Sequence, residues 1–217
     1  MKQFATAGQP NRMPPTAAVA GLVFSTLMIT SLVIIRLAFP DAPTEQVSVK
    51  QGFGNAFSFA LHLIPFSGVA FLWLLGVLRD RIGALEDRFF GTVFFGSGLL
   101  FVASLFASAA VAGAILNATS APTGVPISSE IYFFARELVY ALMNVFAIKM
   151  AGVFMGAACI IALRTAIFPR WIALIGYAFS LALLLVIWGW LWITMLFPLW
   201  TLVVSVYILL TRTQSAD

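Results

Sequence analysis

The chain has 217 residues, of which 62% are hydrophobic and 9% charged, with a formal net charge of +4. That composition excludes an ordinary soluble domain, in which about a quarter of residues are charged. The single cysteine, Cys159, excludes an internal disulfide and any multi-cysteine metal or redox centre.

Residues 1–16 are polar and proline-containing, hold Lys2 and Arg12, and read as a flexible cytoplasmic tail. The first apolar run, about 17–39, is too long for the hydrophobic core of a signal peptide and lacks a small-residue cleavage site, so it is read as a span. A loop with Asp41, Glu45 and Lys50 leads to a second span, about 56–78, which contains His62 and Pro65. Residues 79–88 are the most charged stretch of the chain and read as a short connector. The third span, about 89–116, carries Ser104 and Ser108 one turn apart. Pro122, Gly124 and Pro126 mark the turn-rich loop before the fourth span, about 131–164. Asn117-Ala118-Thr119 matches a glycosylation sequon, a pattern common by chance.

From 171 to 210 the chain is apolar for roughly 40 residues, about 60 Å as one helix. That is twice the ~30 Å of bilayer hydrocarbon, so the chain must fold back. Trp188-Gly189-Trp190-Leu191-Trp192 is the expected place, because tryptophan favours the interface and glycine permits a turn. A break at Pro198 would leave the last span too short. The expectation is an all-α, six-helix transmembrane bundle forming one membrane domain over 17–211, with the fifth and sixth spans at about 171–188 and 192–211 and a short tail at 212–217. Such long uninterrupted apolar runs exclude a transmembrane β-barrel.

Charge distribution sets the orientation. With the N-terminus inside, the inner segments carry Lys2, Arg12, Arg79, Arg81, Arg88, Arg164, Arg170 and Arg212. The outer side carries Arg36 and Lys50, with Arg136 near the outer end of the fourth span. This is a positive-inside pattern that places both termini in the cytoplasm; it reports orientation, not nucleic-acid binding. The fragment Phe168-Pro169-Arg170-Trp171-Ile172-Ala173-Leu174-Ile175-Gly176 resembles a helix start found in uncharacterised bacterial multi-pass membrane proteins. The resemblance implies no activity and points towards a bacterial inner membrane.

The fourth span is expected to be the centre of the bundle. On a helical wheel, Val139, Met143, Phe146, Met150, Phe154 and Ile161 form a bulky apolar arc. The opposite arc, with Glu137, Asn144, Gly152 and Gly156, is small or polar. Small residues let membrane helices approach closely, so Gly152 and Gly156 are read as helix-packing positions. Glu137 and Asn144 are expected to bond across to the helix bearing Ser104 and Ser108.

Ionisable groups within the hydrocarbon are costly and become candidates for function. His62 lies 17 residues from Arg79 and Lys149 lies 15 from Arg164, so both fall in the outer half of the bilayer at similar depth. No acid shares that depth. Lys149 can satisfy its amine on carbonyls, snorkel to the headgroups, or meet an anionic ligand. One hypothesis places it in a polar pocket with His62, Ser104 and Ser108. If the lysine is merely structural, methionine should be tolerated there or even stabilise. With one histidine, bis-histidine haem within the chain is excluded. The many phenylalanines and tryptophans are expected mostly on the lipid-facing surface and in the interface belts.

No phosphate-binding glycine loop, zincin helix or serine elbow is present, so no catalytic residue, metal site or cofactor is expected. The function read from the sequence is an accessory or interaction protein of the membrane, with the bilayer, other membrane subunits or further copies of itself as partners. The alternative is a small oligomeric transporter or channel for an anionic or weakly acidic solute, using Lys149 and His62.

Overall fold

The computed structural model describes residues 15–38, 51–82, 88–120, 128–165, 169–185 and 191–213. These residues are all helical or helix-flanking, with no strand among them. Helices α1 (Pro15–Ala38), α2 (Gln51–Ile82) and α3 (Arg88–Ser120) come first. A long rod follows: α4 (Ser129–Ala141), a π-helical segment (Leu142–Ala147) and α5 (Ile148–Thr165). The chain returns through α6 (Arg170–Leu185), passes a 3₁₀ turn (Leu191–Met195) and ends in α7 (Leu196–Thr213). Six rods therefore form an all-α bundle, and five of them are long and apolar enough to cross a membrane.

The ends of these helices follow from local chemistry. Pro15 opens α1, where a missing N–H costs nothing. The Ser128 hydroxyl accepts from the Ile131 N–H and caps α4. Pro169 offers its carbonyl to the N–H groups of Ile172 and Ala173 and starts α6. Pro198 lies in the first turn of α7, a position proline tolerates, so it begins the last helix instead of breaking it. Helix α6 is described to Leu185; the expected end at 188 and the break at Gly189 lie outside the described residues.

Helix α1 packs against α2 and α7, α3 lies against α2 and α5, and α6 lies against α5. Gly21, near the start of α1, meets Ser205 and Leu74 so closely that any side chain there would collide. This contact sets the early turns of α1 beside the middle of α7.

At the centre stand six phenylalanines from five helices: Phe24, Phe71, Phe94, Phe101, Phe154 and Phe197, all buried. Phe94 stacks on Phe154 at 4.6 Å between ring centres, and Phe71 meets Phe101 edge-on at 5.2 Å and Phe154 at 5.1 Å. Phe197 closes the cluster against Phe101 at 5.1 Å. Tilted and edge-on pairs bring the positive rim of one ring to the negative face of the next, worth about 0.5–1.5 kcal/mol per pair beyond burial. These six rings are exceptions to the expectation that the phenylalanines and tryptophans lie mostly at the surface. Phe154 and Ile161, on the bulky arc of the fourth span, belong to the core. Others, such as Trp73, Phe66 and Trp192, do lie on the surface.

Candidate functional site

The described part of helix α6 has 16 residues, about 24 Å of rise. It begins next to Arg170, at the end of the bundle where Arg79 and Arg164 gather. Arg79 lies over the Phe95 ring at 4.1 Å and Arg164 over the Phe90 ring at 4.6 Å, which pins the ends of α2 and α5 to the first turns of α3. Measured from that basic end, Leu183 and Leu184 lie about 20 Å along α6, less than the thickness of bilayer hydrocarbon. The final turn of any helix leaves carbonyls without intrahelical donors. In hydrocarbon no water can take them, and each unpaired group is expensive.

Lys149 answers that need. It sits in the first turn of α5, and its Nζ donates to the carbonyls of Leu183 at 3.0 Å and Leu184 at 2.6 Å. An ammonium offers three donors and a positive charge, and a helix C-terminus presents acceptors and the negative end of the dipole. The lysine is thus held by two backbone carbonyls of α6. Of the fates open to it in the sequence, the structure takes satisfaction on carbonyls.

Two glycines make this geometry possible. A Cβ on Gly152 would stand 3.1 Å from Leu184 and 3.2 Å from Leu183, and one on Gly156 would stand 2.7 Å from the Ser180 hydroxyl. The Ser180 hydroxyl also donates to the Gly152 carbonyl at 2.7 Å. The expected close crossings at Gly152 and Gly156 are present, with α6 as the neighbour. Along the whole rod the main partners are α3, α6 and α7, and Phe154 also meets Phe71 of α2.

The π segment immediately precedes Lys149. Such widened turns disturb the regular backbone ladder and are frequent at functional sites. Here the carbonyls before the segment receive side-chain donors: Ser108 on α3 donates to Val139 O at 3.2 Å, and the Asn144 amide donates to Tyr140 O at 3.2 Å. The expected bonding between the serine helix and the fourth span exists, but through a backbone carbonyl. Asn144 bonds within its own helix, and Glu137 is exposed.

The other expected site residues are not gathered around the lysine. His62 is exposed on α2, where its Nδ1–H donates to the Ser58 carbonyl of the same helix at 2.6 Å. Helix α3 lies between α2 and α5, and Ser104 is half-buried on it. His62 and the Lys149 amine thus engage carbonyls of different helices, α2 and α6. A cavity of about 20 Å³ does lie near the outer end of the bundle, lined by Met28, Phe101, Met143, Phe197 and other apolar groups, with Thr194 as its one polar residue. That is room for about one water molecule. Among the described residues no cluster of histidine, cysteine or carboxylates is arranged to hold a metal.

Sequence reasoning missed the phenylalanine cluster and the carbonyl partners of Lys149. Comparison with protein-family models, with curated proteins and with solved structures finds no match to this chain.

Proposed function

We propose that this chain is an accessory or interaction protein of a plasma membrane, of a bacterial inner-membrane type, with both termini in the cytoplasm. The observation that carries the reading is the filled centre of the bundle. Six interlocked phenylalanines occupy the axis where a solute path would run, and the amine that might have greeted an anion is engaged by the end of α6. A nearly apolar cavity with room for one water does not accommodate a solute. With no open path and no metal-binding cluster among the described residues, the reading favoured is action through the surface offered to other membrane components.

Orientation rests on the arginine distribution together with the clustering of Arg79, Arg164 and Arg170 at one end of the bundle. A reporter active only in the cytoplasm, fused to the C-terminus, should be active; a well-expressed but silent fusion overturns the orientation. The functional reading is tested by reconstitution into liposomes. Flux of chloride and of small carboxylic acids should stay at the level of protein-free vesicles. Saturable flux that disappears in Lys149→Met would replace this reading with transport.

A further inference from the structure

Helices α3, α5 and α6 contain no aspartate or glutamate. At the basic end of the bundle they present Arg164, close to the end of α5, and Arg170, at the start of α6, both exposed. Among the described residues, the acid at this end is Asp80, which lies on α2 next to Arg79.

The packing of α5 on α6 fixes how these two arginines stand to each other. Gly152 meets Leu183 and Leu184, Gly156 meets Ser180, and Cys159 meets Gly176. Each step along α5 is thus matched by an equal step back along α6. Carried on to the basic end, this register sets Arg164 level with Trp171, one residue from Arg170. The two arginine backbones therefore differ in depth by about 1.5 Å. Direction follows from the helical wheel. Arg164 lies about 110° around α5 from the residues that face α6, and Arg170 about 110° around α6 from those that face α5. The helices are antiparallel and both right-handed, so these two rotations lead to the same side of the pair. That side adjoins α3, whose Phe90 ring lies under the Arg164 guanidinium at 4.6 Å.

Two cations at one level, on one side of a helix pair, make a fork for phosphate. Arginine holds phosphate oxygens through paired N–H donors, and stacking on Phe90 orders one of the two beforehand. A membrane supplies phosphate at this depth. Trp171, exposed by 55%, stands at the same level, where tryptophan meets lipid headgroups. Leu174 and Leu181, exposed by 59% and 41%, continue from Arg170 along α6 and offer an apolar row to an acyl chain.

We infer that Arg164 and Arg170 together bind an anionic phospholipid of the cytoplasmic leaflet. A lipid with two phosphates, such as cardiolipin, engages both guanidinium groups at once. The leaflet rests on the orientation proposed above, and the inference deepens the interaction reading by naming one membrane component. It fails independently, because lipid retention is measured on purified protein, where neither flux nor orientation enters.

The test is native mass spectrometry of the full-length protein released from a mild detergent, with cardiolipin, phosphatidylcholine or inorganic phosphate added. One cardiolipin should stay bound and raise the midpoint of thermal unfolding, while phosphatidylcholine and phosphate should do neither. Arg170→Gln alters an exposed side chain, keeps the fold, and should weaken cardiolipin retention about tenfold. Arg79→Gln loses the same charge where α2 meets α3, and it should bind as the parent does. Equal weakening in the two variants would reduce the effect to overall charge and overturn the inference. Phosphatidylcholine held as firmly as cardiolipin, undiminished binding by Arg170→Gln, or the same stabilisation by inorganic phosphate would each overturn it as well.

Discussion

Helices α4 and α5 are consecutive halves of one rod with opposite fates. In α5 the residues Ala151, Phe154, Met155, Ala157, Cys159, Ile161 and Ala162 are all buried, while in α4 not one residue is. Both halves contain apolar residues, so hydrophobicity does not separate them. What separates them is shape and charge. Gly152, Gly156, Ala151 and Ala158 let α3 and α6 close on α5 from two sides, and Phe154 then reaches the central cluster. Helix α4 has bulky Phe133, Phe134 and Tyr140 interleaved with Glu130, Arg136 and Glu137, and only α3 runs far enough beside it to make contact. In a membrane, helices associate by close approach and polar bonds rather than by flight from water, so small residues decide which half is enclosed.

The contrast is broken most sharply by removing the same side chain from each half. Phe154→Ala should cost about 3 kcal/mol, most of it from the cavity left behind, because lipid already shelters an apolar group from water. Phe133→Ala should change stability by less than about 0.5 kcal/mol. Thermal unfolding in a mild detergent compares the two, and equal effects would end the argument that the rod is divided.

Next in size is Lys149→Met. The sequence alone suggested that a structural lysine could be exchanged without loss, but the Leu183 and Leu184 carbonyls now make that exchange costly. Removing their lysine donor should lower stability by about 2–3 kcal/mol, read by thermal unfolding in a mild detergent. A methionine variant as stable as the parent would show that those carbonyls have other donors.

Gly156→Val tests the closeness of α5 and α6. The added branches would strike Ser180, and overpacking of this kind costs about 2 kcal/mol. The smallest expected effect belongs to the bond between α3 and α4. Ser108→Ala removes the donor to Val139 O and should cost about 0.6 kcal/mol, the usual worth of an interhelical hydrogen bond in a membrane bundle. Faster amide exchange confined to residues 139–144 would accompany it.

Much of the architecture was legible before any coordinates. Six apolar runs, the arginine distribution and the turn residues between runs follow from bilayer thickness and the cost of burying charge, and both are properties of local sequence. The glycine crossings were legible too, because a missing side chain is itself the signal. Only the tertiary structure decided where Lys149 points, since its partners are the backbone carbonyls of Leu183 and Leu184, 34 and 35 residues away. Every residue owns a carbonyl, and no side-chain pattern reveals which will be left without a donor. The central rings were hidden for a related reason. In an apolar chain, lipid-facing and core-facing phenylalanines look alike, and only the placing of five helices around one axis separates Phe71 and Phe101 from Phe59 and Phe66.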